Sequence, residues 1–366
     1  MNQRLSHSAT NCYTQCGRKY QLRYIHKLKS KLTSGALLFG SAIDNALNSL
    51  LETKDLSVAT KAFDKAFRFN FINNKGYYLP ECKLITYAKT DFDLDLLKEE
   101  DLKWFNDRQY ELNTLTNNSI SEVVAILQDK KATSGYNSLS EDEKELLNLA
   151  NWLCLYRKGI VMLRAYSEQV LPKIKQVLAV QKSIEIENND GDKLIGFIDL
   201  IVETADGKRY VLDNKTSSVQ YDANSPQRSQ QLILYYHITK EEYKLDGVGF
   251  VVMYKHILKN KKKTCSKCSN DGTGKRHKTC DVETEFGRCN GTWDEVLNPD
   301  ARIEFITNSV PEAAENLVME TFDEANNGIK NKMFGPNLQA CHTGNIYCDY
   351  YQYCWTGSKE DLVQTE

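Results

Sequence analysis

Two short apolar runs in this chain each carry a carboxylate in mid-run, and that constrains the fold more than any other feature. They are LIGFIDLIVE (194–203), with Asp199, and RYVLDNKTS (209–217), with Asp213 and Lys215. Apolar runs of this length, rich in β-branched residues and bounded by turn residues, read as strands. Asn188-Asn189-Asp190-Gly191 marks a turn before the first run, and Asp206-Gly207 separates the two. VLAVQKSIEIE (177–187) reads as a strand before them. SQQLILYYHITKEEY (229–243) reads as a helix after them, and VGFVVMYKH (248–256) as a fourth strand. The order strand, strand, strand, helix, strand predicts an α/β core with the acidic residues on its central strands.

An unpartnered carboxylate is costly to bury. Residues i and i+2 of a strand face the same side, so Asp213 and Lys215 point together with Asn214 opposite. If the strands pair across Asp206-Gly207, Asp199 reaches the same cleft. Two carboxylates there can hold one or two Mg²⁺ or Mn²⁺ ions through hard oxygen ligands. Such a metal acidifies a bound water and neutralises phosphate charge, and a lysine steadies the transition state. The alternative is a buried Asp–Lys ion pair between strands, and the D-x-K triplet alone does not separate the two. Glu185 and Glu187, on the preceding strand, either face solvent or approach this cleft.

The remaining chain divides by composition. Residues 1–30 read as a loop entering a helix. GALLFGSAIDNALNSLLET (35–53) has Leu37, Leu38, Ile43, Leu47, Leu50 and Leu51 at helical spacing. Residues 54–177 are expected to be a helical insertion, in which Ser140 and Glu143 form a capping box. The catalytic core is expected over 178–258 and a cysteine-rich insertion over 259–295. A C-terminal helix with a cysteine-rich tail is expected over 296–366, with 300–330 helical. Residues 1–53 would complete the core from the N-terminal side. No apolar run approaches the roughly 18 residues of a membrane span, and the N-terminus lacks a signal-peptide pattern. The protein is therefore expected in the cytoplasm, away from membranes.

Net charge is −2, so attraction to nucleic acid would rest on local patches. One runs over 18–31 and includes Arg18, Lys19 and Arg23. The other runs over 255–263 and is followed by Lys275 and Arg276. Each is either solvated surface or a DNA-contacting face. Eleven cysteines without an export signal suggest metal more than disulfides. Cys265-x2-Cys268-x11-Cys280-x8-Cys289 suits a tetrahedral Zn²⁺, with His277 as a substitute ligand and free thiols as the alternative. Cys341, Cys348 and Cys354 in the tail supply three soft ligands and no fourth by spacing. Cys12, Cys82 and Cys154 are left over; the last two read as buried apolar residues.

The segments in order resemble the RecB-like branch of the PD-(D/E)xK nuclease superfamily, which includes CRISPR-adaptation nucleases and the AddB-type nuclease domain. CGRKYQLRYI (16–25) looks like that family's cysteine-led entry segment, and GSAIDNAL (40–47) like its first helix. GFIDLI (196–201) and VLDNKT (211–216) look like its metal-binding strands. Gln231 and Tyr235 match its Q-x-x-x-Y helix. The resemblance spans most of the chain but leaves the helical stretch and the cysteine-rich insertion unexplained. It implies a restriction-endonuclease-like mixed sheet flanked by helices. Asp199 and Asp213 would be Mg²⁺ or Mn²⁺ ligands, Lys215 the catalytic lysine, and Gln231 with Tyr235 supporting residues. Relatives often carry His where this chain has Asp44, which would make Asp44 a third carboxylate ligand. Relatives also join an N-terminal cysteine to three C-terminal ones around a [4Fe–4S] cluster. Cys16 takes that position here, with Cys12 as competitor and zinc or reduced thiols as alternatives.

The implied activity is a DNA nuclease, an exonuclease or end-processing enzyme for replication, recombination or repair. Its substrate would be single-stranded DNA or DNA ends. No P-loop is present, so any pumping of DNA falls to a helicase or recombination partner. The arrangement resembles phage exonucleases, which places it in a bacterial or infected host cell. The other readings are an inactive DNA-binding scaffold on the same fold and an RNA-processing nuclease.

Overall fold

The computed structural model of the protein describes residues 4–31, 35–67, 130, 134, 138–187, 191–255, 261–270, 279–285, 287–297, 302–343 and 346–365. Lys275, Arg276, His277, Cys82 and Asn188–Asp190 lie outside the described residues, as does the side chain of Cys154. No helix among the described residues is long and apolar enough to cross a membrane.

The chain enters through β1 (Arg4–Ser6), α1 (His7–Gln15), α2 (Gly17–Tyr20), a π-helical turn (Gln21–Ile25) and β2 (Leu28–Ser30). Where a loop is expected over the first residues, β1 pairs in parallel with residues 193–195 of the central sheet. Three residues show no strand period; only the sheet edge that they meet makes them a strand. Ser6 caps α1, accepting from the Ala9 N–H at 3.2 Å.

Among the described residues three long helices follow: α3 (Gly35–Thr53), α4 (Leu56–Ala66) and α5 (Glu141–Gln169). In α3 the buried set is Phe39, Ala42, Ile43, Ala46, Leu47, Leu50 and Leu51, the i, i+3, i+4 stripe of a core-facing helix. Leu37 falls off that stripe and is 63% exposed. Ser140 and Glu143 form the expected capping box at the start of α5. Helices α3, α4 and α5 share one apolar cluster with the sheet, in which Phe39, Phe63, Phe67 and Tyr156 meet ring to ring. Full burial of Leu47 and Leu50 contributes about 1.5–3 kcal/mol each.

The sheet is built from β3 (Ile174–Glu187), β4 (Lys193–Thr204), β5 (Arg209–Ser217) and β6 (Gly247–Tyr254), with α6 (Gln230–Tyr243) crossing between β5 and β6. Beyond β6 the cysteine-rich insertion forms β7 (Lys261–Cys265), β8 (Glu283–Thr284), β9 (Gly287–Arg288) and β10 (Trp293–Leu297). The chain then returns to the sheet as β11 (Ile303–Asn308). The strand order is β1-β4-β5-β6-β11, with β3 on the other edge of β4. The pairs β4–β5 and β6–β11 are antiparallel and β5–β6 is parallel, so the sheet is mixed. All of β6 is buried, as a strand covered on both faces requires. Leu212, Val251 and Met253 face α3, α4 and α5, whereas Val211, Phe250 and Val252 face α6.

The expectation of helix throughout 300–330 is corrected: β11 occupies 303–308, and the helix α7 begins only at Glu312. Isoleucine and phenylalanine suit a strand, and the free edge of β6 supplies the backbone partners. Pro311 then serves as N-cap. Helix α7 (Glu312–Lys330) packs on α1 and α6 in a third cluster with Leu5, Leu194, Ile233 and Phe322. The tail adds β12 (His342–Thr343), β13 (Ile346–Tyr347), α8 (Tyr351–Thr356) and β14 (Leu362–Gln364). β14 pairs antiparallel with β2, and the Tyr350 hydroxyl donates to the Leu28 carbonyl at 2.7 Å, which ties the two chain ends together. The architecture is the expected mixed α/β sheet flanked by helices, with a four-cysteine insertion between β6 and β11.

Candidate active site and cysteine centres

The site lies where two strands part. Pairing of β4 with β5 runs from Glu203↔Arg209 to Leu200↔Leu212 and stops there. The same edge of β4 is taken up again by β1 only at residues 193–195. Residues 196–199 therefore have no strand partner on that edge among the described residues, and Asp199 and Asp213 stand just past the last pair. A break in the alternation helps place Asp199. Ile198 packs on the α6 side, yet Leu200 packs on the α3 side, so the regular two-residue period fails at Asp199. Opposite it on β3, between the pairs Val180↔Leu200 and Lys182↔Ile198, Gln181 has φ of 48°. A left-handed non-glycine residue inside a strand stores backbone strain, and such strain concentrates at functional sites.

Asp213 is buried, and its Oδ2 lies 2.5 Å from Lys215 Nζ. Asn214 turns the other way and accepts a hydrogen bond from the Tyr166 hydroxyl of α5 at 3.2 Å. Strand alternation thus holds through β5 as expected. Burial opposes charge on Lys215, but Asp213 and then Asp199 outweigh it and keep the ammonium protonated. Burial first, then the Asp213 charge and a hydrogen bond to Asp213, push Asp199 up to about 8. A second negative charge beside Asp213 is thus disfavoured at Asp199.

Asp44 reaches the same region from α3. Its carboxyl is raised by burial and then by Asp213. Its Oδ2 accepts from Gln181 Nε2 at 3.4 Å, while its Oδ1 is buried without a hydrogen-bond partner. No choice of one oxygen from each of Asp44, Asp199 and Asp213 puts all three within 4.8 Å. Asp199 and Asp213 are therefore the close pair, and Asp44 stands off beside Gln181. Crowded carboxylates that raise one another and an orphaned buried oxygen are what a divalent cation would relieve. The donor set consists of hard oxygens, as Mg²⁺ and Mn²⁺ prefer.

A pH dependence follows. The folded-state value of Asp199 lies above its ordinary 3.8, so its contribution to stability is present below about pH 4 and is lost as pH rises toward 8. In EDTA the thermal midpoint is expected to fall from about pH 6 to about pH 8.5, and Asp199→Asn should flatten that fall. Equal slopes for both proteins would refute the paired-carboxyl reading.

Gln231 and Tyr235 lie on α6, which starts at the Ser229 cap. Gln231 Nε2 donates to the Tyr235 hydroxyl at 3.3 Å. The Tyr235 ring packs against Gly196, where an added Cβ would sit 2.8 Å from its Cε1 and 3.3 Å from Ile184. These residues pin the unpaired length of β4 from below. Gly196→Ala is accordingly expected to cost about 1–3 kcal/mol by overpacking, read from chemical denaturation.

Sequence reasoning missed two neighbours of this site. His7 follows the last β1 pair, Ser6↔Ile195, and so enters the gap from the side opposite Asp213. Burial first, then the Lys215 charge, lower its pKa, while Asp213 opposes. Gln181 is the second. Neither carried a spacing signal: His7 precedes every recognised motif, and a left-handed backbone leaves no mark on a glutamine. Glu185 and Glu187 do not join the site. Lys193 Nζ binds Glu185 at 2.5 Å, and Glu187 pairs with Lys193 at the far end of β3.

The cysteines form two different arrangements. In the insertion, Cys265 Sγ is 3.5 Å from Cys289 Sγ and Cys268 Sγ is 3.7 Å from Cys280 Sγ, with all four within 4.8 Å of one another. A tetrahedron of thiolates on one ion with Zn–S of about 2.3 Å has edges of about 3.8 Å. A four-iron cube puts each thiolate on a different iron and needs wider spacing. The four-cysteine group therefore fits a single tetrahedral ion. Burial opposes ionisation of Cys265, but the N–H groups of Cys268 and Lys267 hold it down to about 6.

In the tail, Cys16, Cys341, Cys348 and Cys354 line one cavity, together with Arg18 and Lys19. They are free thiols, and their sulfurs are not gathered as tightly as those of the insertion. Cys12, the competitor of Cys16, is buried in the apolar cluster under α7. Arg18 donates to Gln21 at 2.6 Å, Lys19 donates to Gln15 at 3.3 Å, and Arg23 lies over the Tyr24 ring. Arg18 and Lys19 thus face the cysteine cavity.

A family model described as the PD-(D/E)XK nuclease superfamily matches residues 4–89 and 124–355. Among curated proteins, none matched the chain.

Proposed function

The chain belongs to the PD-(D/E)XK nuclease superfamily, and from that premise we propose that it is a metal-dependent DNA nuclease, an exonuclease or end-processing enzyme of replication, recombination or repair. The observation that carries this reading is the close pair Asp199 and Asp213 at the parting of β4 and β5, with Lys215 held 2.5 Å from Asp213. Asp199 and Asp213 would hold Mg²⁺ or Mn²⁺, with Asp44 of α3 set back beside Gln181. The bound ion supplies Lewis acidity and an acidified water. Lys215, kept protonated by its two carboxylates, stabilises charge developing on the phosphate. Gln231 and Tyr235 act through the backbone of β4, holding Asp199 in place. Arg18, Lys19 and Arg23, with Lys275 and Arg276, offer phosphate contacts away from the chemistry.

The cysteines are structural in this reading. Cys265, Cys268, Cys280 and Cys289 bind zinc, and Cys16, Cys341, Cys348 and Cys354 bind a [4Fe–4S] cluster that reinforces the closure of the chain ends. Cys348→Ser is expected to strip iron and sulfide from anaerobically purified protein while leaving zinc in place. Zinc in both centres, with no iron, would replace the cluster by a second zinc. The protein acts in the cytoplasm on single strands or DNA ends, and a helicase or recombination protein would supply them.

The function is tested by cleavage of end-labelled single-stranded DNA, double-stranded DNA and RNA in Mg²⁺ or Mn²⁺. Stepwise shortening of DNA is expected. Cleavage of RNA alone would make the protein an RNA-processing nuclease, and binding without cleavage a scaffold.

A further inference from the structure

We propose that an aromatic ladder in the tail, His342, Tyr347, Tyr351 and Trp355, is a stacking platform for the bases of single-stranded nucleic acid. The inference rests on the nuclease reading above and adds a binding surface outside the active site. The ladder follows from local periods. His342 and Tyr347 are cross-strand partners in the hairpin of β12 and β13, so their rings share one face. Tyr351 and Trp355 are four apart on α8 and share one side of that helix. The rings meet in sequence. His342 stacks on Tyr347 with centroids 6.4 Å apart, Tyr347 meets Tyr351 at 4.8 Å, and Tyr351 meets Trp355 at 5.9 Å.

The ladder faces outward while its neighbours hold the backbone. Tyr350 and Tyr353 pack with Leu22, Leu28 and Leu362, so the tail cannot turn its ladder inward without giving up that cluster. Tyr347 is 60% exposed and Trp355 57%. Single exposed apolar residues are ordinary, but a contiguous patch rimmed by polar groups marks an interaction site. The charges around the patch say which kind. Tyr351 lines two cavities. One is an open cleft of about 380 Å³ that it shares with Tyr347, Gln352, Asp349 and Asp361. The other is the cysteine cavity, which it lines together with Arg18 and Lys19. Those two cations bond to the neutral Gln21 and Gln15, and no carboxylate neutralises them among the described residues. Asp349 and Asp361 repel phosphate. A strand laid on the ladder therefore keeps its phosphates toward Arg18 and Lys19 and its bases on the rings. Every base has a face to stack, whatever the sequence, whereas bases inside a duplex are already stacked. An apolar protein surface would use the rings and leave the two cations without anions. Arg18 and Lys19 also lie beside Cys354 and Cys348, so the rings rather than the cations carry the test.

The test uses the full-length protein without added Mg²⁺ or Mn²⁺, so that turnover does not intervene. Binding of a fluorescein-labelled single-stranded oligodeoxynucleotide is read by anisotropy, beside the same strand carrying consecutive abasic residues. Trp355→Ala and Tyr347→Ala should each weaken binding of the intact strand about 5- to 150-fold, the range for loss of one stacked base. Trp355→Phe should restore most of it. On the abasic strand, wild type and both alanine variants should bind alike, a result that a merely structural role would not give. Because both rings are exposed, circular dichroism and bound metal should be unchanged. Equal binding of the intact strand by wild type and both alanine variants overturns the proposal and leaves the ladder to a protein partner. An equal loss on both strands overturns it too. Cleavage in Mg²⁺ is read separately. If wild type cleaves DNA while both variants bind normally, this proposal falls alone. If wild type cleaves nothing, yet loses strand binding on Trp355→Ala, the nuclease reading falls and the platform stands.

Discussion

Lys215→Ala is expected to lower single-turnover cleavage by about 10²- to 10³-fold, the usual cost of losing one preorganised group that meets developing negative charge. The size follows from the position of Lys215. Its ammonium is 2.5 Å from Asp213, which is buried, and Asp199 adds a second carboxylate. Asp213→Ala should cost at least as much, because it removes both the anchor of Lys215 and half of the close carboxylate pair. The two losses should not add, since each residue orders the other. Binding of Mn²⁺, followed by its electron paramagnetic resonance signal, separates the roles. Asp213→Ala should weaken it strongly and Lys215→Ala should not. Equal cleavage by wild type and both variants would sink the assignment of these residues.

Loss of metal from the insertion should be as drastic, but local. Among its described residues the buried apolar side chains are Cys265, Cys280 and Trp293, in a small cluster of their own. Structural zinc in small peptides is worth about 10–16 kcal/mol of apparent binding at neutral pH, most of it folding energy. Cys280→Ser or a strong chelator is therefore expected to release one zinc and open residues 261–297 to rapid proteolysis. The six-stranded sheet has its own clusters on both faces and should keep its unfolding midpoint. Undiminished protease resistance in the metal-free variant would show that something other than a metal holds the hairpin of β7 and β10.

Much of the site is legible in residues close together in the chain. Asp213 and Lys215 are two apart on a strand, and Gln231 and Tyr235 are four apart on a helix; these are the periods at which side chains meet. The capping box at Ser140 and the C-x2-C knuckle are local in the same way. Features that depend on a distant partner were hidden or misread. Residues 303–308 look like the front of a helix until the edge of β6 claims them as β11. Residues 4–6 have no pattern at all until β4 accepts them.

The residues themselves therefore determined the chemistry: two carboxylates and a lysine in apolar strands, and four thiols spaced for one tetrahedral ion. The reason is that metal and phosphate recognition needs certain side chains at short, regular spacings, which a sequence displays directly. The tertiary structure decided how Asp199 reaches Asp213, because the alternation of β4 breaks at Asp199 opposite the left-handed Gln181. It decided that Asp44 stands beside Gln181 and that His7 borders the gap. Those outcomes depend on where strands stop pairing, which long-range packing settles and no local pattern records. The opening pair of acidic strands thus signalled a buried cluster of carboxylates and a lysine, while its geometry came from the partners that β4 lacks.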